Sequence, residues 1–122
     1  MSLRIVLDEH LRGPAWSAVC RHNATEEFAL DVVRVGDTDC VPLGTDDPEI
    51  LLWAEREGRI LVTRDQSTMK SHLEQHIGAG HRSPGVFMVR PHGRLSVMME
   101  FLVLADQLSD PHEWQDAITY IG

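Results

Sequence analysis

The stretch DDPEILLWAEREGRILVTRD, residues 46–65, decides how this chain is read. It opens as a helix start: Asp46 or Asp47 can serve as N-cap, Pro48 suits the first turn, and Glu49 puts negative charge at the positive end of the helix dipole. Ile50, Leu51, Trp53 and Ala54 then fall on one helical face, and Gly58 is a fitting C-terminal stop. Residues 59–63 follow at once as an apolar strand, which ends in Arg64-Asp65. A helix that feeds a strand through so short a connection is one αβ unit of a parallel sheet.

Working outward, residues 3–7 form a short apolar, β-branched run that ends at Asp8-Glu9, and its continuous apolarity predicts a strand buried on both faces. Gly13-Pro14 starts a helix to about residue 22, with Trp16, Val19 and Cys20 on a common face. Residues 30–35 read as a second strand closed by Gly36, and residues 36–47 as a Gly-, Asp-, Thr- and Pro-rich loop. Downstream, a helix is expected over 69–77, broken by Gly78-Ala-Gly80, and a strand over 85–90, stopped by Pro91. Met98, Phe101, Leu102, Ala105 and Leu108 mark a helical stripe within 95–108, and residues 117–121 read as a short final strand at an edge. Alternating strands and helices predict an α/β protein, a mainly parallel sheet covered on both faces and joined by right-handed crossovers. At 122 residues the chain is the size of one domain, residues 1–122, with room for a core that needs no disulfide.

Composition narrows the function classes. A formal charge of -8 with eleven basic residues leaves no global electrostatic footprint for duplex nucleic acid, yet a cation in an acidic pocket inverts the local field and receives phosphate itself. The amino-terminal segment turns acidic after a short apolar run, unlike a signal peptide, and no segment approaches the length of a membrane span. Cys20 and Cys40 are expected as reduced thiols, and the expected location is the cytoplasm, with no membrane partner.

Acids from three separated segments reach one end of the expected sheet: LDEHL after the first strand, GTDDPEIL at a helix start, and LVTRD after the third strand. Ligands of parallel sheets collect beyond the carboxyl ends of the strands, where strand order reverses. Carboxylates crowded there are tolerated when a hard divalent cation offsets their repulsion. One Asp after a strand is usually a turn former or a cap, and capping accounts for Asp46. Asp8 and Asp65 together are harder to explain that way, while Glu9 and Glu49 rank as second-choice ligands or solvated side chains.

The runs LDEHL, DDPEILLWAEREGRILVTRDQSTM, SPGVFMV and EWQDAITYI resemble the short bacterial PIN-like proteins, relatives of the ribonuclease toxins of toxin–antitoxin pairs, over nearly the whole chain. That resemblance implies a three-layer α/β/α sandwich with a metal-dependent nuclease site. It would cast Asp8 as the first-strand acid, Asp47 as the helix-start acid and Asp65 as the acid of the Thr-x-Asp motif, with Thr63 holding the strand exit in shape. The expected catalytic and metal residues are therefore Asp8, Asp47 and Asp65, with Mg2+ or Mn2+ as the ion. Ser67 stands where many relatives carry a further Asp, and the additional acid of larger PIN nucleases has no counterpart, so three carboxylates would hold one ion.

Around this site Arg64 either contacts phosphate or points away, and Ser67 and Thr68 either bond substrate or cap the next helix. His72 and His76 share a helical face at four-residue spacing, but no metalloprotease pattern accompanies them, so solvent-exposed histidines are expected. Neither a Gly-x-Ser-x-Gly nor a reactive-cysteine motif occurs. The expected activity is endoribonucleolytic cleavage of single-stranded RNA, as the toxin of a pair with an antitoxin protein, with room for a homodimer through helix 95–108. The alternatives are a non-catalytic protein-binding module with a degenerate metal site, and a phosphoacceptor receiver-like domain. The receiver reading lacks the late lysine it needs, since Lys70 is the only lysine.

Overall fold

A computed structural model describes residues 2–25 and 28–122. Strands β1 (Arg4–Leu7), β2 (Asp31–Arg34), β3 (Ile60–Thr63), β4 (Val86–Val89) and β5 (Ile118–Ile121) form one sheet in the order β2-β1-β3-β4-β5. Every neighbouring pair is parallel: Val6 lies opposite both Val33 and Leu61, and Phe87 opposite both Val62 and Thr119. Helices α1 (Pro14–Thr25), α2 (Asp47–Glu57), α3 (Met69–Gly78) and α4 (Leu95–Leu108) connect them.

Period-two alternation along the strands assigns the helices to faces. Ile5, Leu7, Val62 and Phe87 pack with Val19 of α1 and Leu102 of α4 on one side. Val6, Leu61 and Met88 pack with Leu51 of α2 and Leu73 of α3 on the other. The result is the expected α/β/α sandwich, and β1, β3 and β4 sit at its centre with their apolar residues almost fully buried.

Helix α2 follows its local signals. Asp46 is the N-cap, its carboxylate accepting from the Glu49 amide at 3.2 Å, and Gly58 closes the helix at a φ of +67°, donating back to the Ala54 and Glu55 carbonyls. Two stripes differ from expectation. On α1 the buried face is Ala15, Ala18 and Val19, continuing from Leu11, while Cys20 is exposed and Trp16 lies at the rim with the Arg34 guanidinium 4.3 Å from its ring centre. On α4 Met98, Leu102 and Ala105 are buried, but Leu108, the last residue, is 79% exposed because the helix ends there beyond the cover of the sheet. Cys20 and Cys40 are both free thiols. No helix among the described residues is long and apolar enough to cross a membrane.

Candidate metal centre

In this strand order β2 lies to one side of β1 while β3, β4 and β5 follow on the other, so the reversal falls between β1 and β3. Asp8 leaves β1 directly and Asp65 stands two residues past β3, which brings both expected acids to the crevice at that reversal.

Asp8 is 5% exposed and held from every side. Its amide donates to the Val62 carbonyl at 3.0 Å, prolonging the β1–β3 ladder by one rung. One carboxylate oxygen accepts from the His10 amide at 2.7 Å, capping the short 3-10 turn Glu9–Leu11, and the other accepts from the Thr63 hydroxyl. The same Thr63 oxygen, wholly buried, accepts from the Asp65 amide at 3.1 Å. A single hydroxyl therefore ties the exits of β1 and β3 together.

Asp65 in turn organises the start of α3. Its Oδ1 accepts from the Ser67 amide at 3.1 Å, the Ser67 hydroxyl at 2.9 Å and the Thr68 amide at 3.4 Å, and its Oδ2 from the Thr68 hydroxyl at 2.8 Å. The hydroxyls of Thr68 and Ser67 hold its carboxyl below the usual range. These bonds differ from the capping role expected of Thr68. Thr68 stands at the N-cap of α3 without a side-chain cap bond, and both hydroxyls donate to Asp65.

Asp47, on the first turn of α2, is the third acid. Burial pushes its carboxyl up, the negative charges of Asp65 and Asp8 push it further, and His72 opposes them. Its Oδ2 lies 4.0 Å from His72 Nε2, and the other ring nitrogen of His72 is buried without a partner among the described residues. None of the ion pairs among the described residues gives Asp8, Asp47 or Asp65 an arginine or lysine. Three acids thus act on one another electrostatically, and among the described residues His72 is the basic side chain paired with any of them. They are gathered rather than closed on a point: among the described residues, the set of three donors lying within 4.8 Å of one another is Glu55, His76 and His81.

The remaining candidates lie outside the crevice or at its margin. Arg64 is exposed and joins none of those ion pairs. Glu9 turns to the loop before α2, where the Gly44 amide approaches it at 3.4 Å, and Glu49 is exposed. The expectation of solvent-exposed histidines fails at His76, which is 7% exposed because α3 turns it inward against the Arg82 carbonyl, 2.8 Å from its Nε2. Sequence reasoning also missed His72 as a neighbour of Asp47. Its helical spacing to His76 was visible, but the partner facing it comes from α2.

Comparisons with protein-family models, with curated proteins and with solved structures return no match. The fold defines a class on its own: a doubly wound α/β protein with acids gathered at the switch point of its sheet.

Proposed function

We propose that this chain is a magnesium- or manganese-dependent endoribonuclease of the PIN-like kind, acting on single-stranded RNA through Asp8, Asp47 and Asp65. The observation that carries the reading is the mutual influence of these carboxylates near the β1–β3 switch point with no arginine or lysine paired to any of them among the described residues. An all-oxygen donor set suits a hard ion, and such an ion, when bound, polarises a phosphate oxygen and acidifies a water. Asp8 and Asp65 are fixed before any ligand arrives, the first by Thr63 and His10, the second by Ser67 and Thr68. Asp47 is the third member, its carboxyl raised by burial and by the charges of Asp65 and Asp8, a repulsion that a bound cation would relieve. Placement as the toxin half of a toxin–antitoxin pair is supported by the resemblance of residues 46–69 and their flanking runs.

The strand order favours one further reading, since the order 2-1-3-4-5 also carries phosphoacceptor domains with acids after the first strand and an Asp after the third. Lys70, the only lysine, lies exposed on α3 and not at the exit of β4 or β5, which leaves that chemistry without its cation.

Purified protein is expected to cleave single-stranded RNA with Mn2+, and Asp8→Asn and Asp65→Asn to lose about a hundredfold or more of that rate. Equal cleavage by wild type and both variants would mark a contaminant and sink the catalytic reading. No cleavage, together with tight binding of the product of a neighbouring gene, would favour the non-catalytic binding module.

A further inference from the structure

At the opposite edge of the sheet, before the strands begin, a second group of donors meets. Glu55 lies in the last turn of α2 and His76 in the last turn of α3, and His81 belongs to the connection from α3 to β4. Glu55 follows Asp47 by eight residues, about 12 Å of helix rise, so this group is separate from the acid crevice. One donor atom from each residue lies within 4.8 Å of the other two. Glu55 Oε1 is 2.9 Å from His81 Nδ1 and 3.5 Å from His76 Nε2. Donors about 2.1 Å from one tetrahedral ion stand about 3.4 Å apart, and these separations bracket that value.

The surroundings resemble the supports of a ligand set. The Arg82 amide donates to Glu55 Oε2 at 3.0 Å, leaving Oε1 turned to the imidazoles, and the two rings stack at 4.8 Å between centres with 22° between planes. The His76 side chain is 4% exposed, while that of His81 is 43% exposed, so the group has a buried wall and an open side.

We infer that Glu55, His76 and His81 form a binding site for a late first-row divalent ion such as Zn2+, which ties the end of α2 to the α3–β4 connection. Two imidazoles and a carboxylate select such an ion over Mg2+, which prefers oxygen ligands throughout. His76 Nε2 now meets the Arg82 carbonyl at 2.8 Å and His81 Nδ1 meets Glu55 Oε1 at 2.9 Å, so an ion would displace both contacts and take the two nitrogens unprotonated. Its place at the amino edge, away from the crevice where parallel sheets bind ligands, assigns it to stability rather than to turnover.

The test is calorimetric titration of tag-free protein with Zn2+ alone, alongside thermal melts. Asp65→Asn, which removes a proposed ligand of the acid crevice, should still bind one equivalent and melt higher with Zn2+, and His81→Ala or Glu55→Gln added to it should each weaken that binding by at least about tenfold. Co2+ added to Asp65→Asn should develop visible ligand-field absorption that is lost when His81→Ala is added, which reads the site directly even where a variant is less stable. Absence of saturable Zn2+ binding, unchanged affinity when His81→Ala is added, or loss of binding in Asp65→Asn alone would each overturn the assignment.

Discussion

Asp47 and Asp65 border one crevice yet titrate in opposite directions. Asp65 is lowered because the Thr68 and Ser67 hydroxyls bond its ionised form, whereas Asp47 is raised by burial and by the charges of Asp65 and Asp8. For Asp65 the folded pKa lies below the unfolded one, so its stabilisation is present above the ordinary carboxylate value and lost as pH falls through the folded pKa. For Asp47 the order is reversed: its contribution is present below the unfolded value and lost as pH rises through the folded pKa, leaving a cost at neutral pH. Asp47→Asn is therefore expected to raise the thermal midpoint in EDTA at pH 7, with the gain vanishing below about pH 3.9, and to lose the protection that Mn2+ confers. Asp65→Asn should move the other way in EDTA, by on the order of 1 kcal/mol, because the α3 start loses a charged acceptor. Melts of both variants from pH 3.5 to 8 check the pair of signs. A midpoint for Asp47→Asn below wild type at pH 7 would contradict this account of the crevice.

At the scale of elements, the α2–β3 unit was legible in full because its cap, stripe, glycine stop and strand are all local signals. Helix α4 was legible as a helix but not in its attachments. Asp106, in the middle of an apolar stripe, is buried and accepts from the Leu3 amide at 2.8 Å, so it fastens the helix to the residue before β1. Asp106→Ala should cost about 1–3 kcal/mol in urea denaturation by orphaning that amide, while Asp106→Asn, which keeps the acceptor, should cost less. Gly85 precedes β4 at a φ of +125°, and a Cβ there would stand 2.3 Å from the Trp114 carbonyl oxygen. Gly85→Ala is expected to lose about 1–3 kcal/mol or more, measured the same way, since both the backbone conformation and the contact oppose a side chain. The buried stripe of α1 runs through Ala15, Ala18 and Val19, with Leu11 buried ahead of the helix, and leaves Cys20 outside it; the two small alanines carry too little apolar signal to mark that face in the sequence.

For the whole molecule, the two cores lie on opposite faces of one central sheet and share its strands, so neither can be lost alone. Unfolding should be a single cooperative transition, monitored by tryptophan fluorescence and far-ultraviolet circular dichroism with coincident midpoints. Mn2+ at a hundred times its dissociation constant should add about 2.7 kcal/mol to wild type and much less to Asp8→Asn. What the amino-acid order determined by itself was the alternation of strands and helices, the parallel sheet, and the delivery of Asp8 and Asp65 to strand exits, since caps, breakers and periodicity act within a few residues. Tertiary structure alone decided the strand order that places the switch point, the Thr63 hydroxyl shared by Asp8 and Asp65, and the burial of His76 beside Glu55 and His81. Those outcomes join groups that lie on different elements, up to 55 residues apart in the case of Asp8 and Thr63, and only the packing of helices against a common sheet brings them within bonding distance.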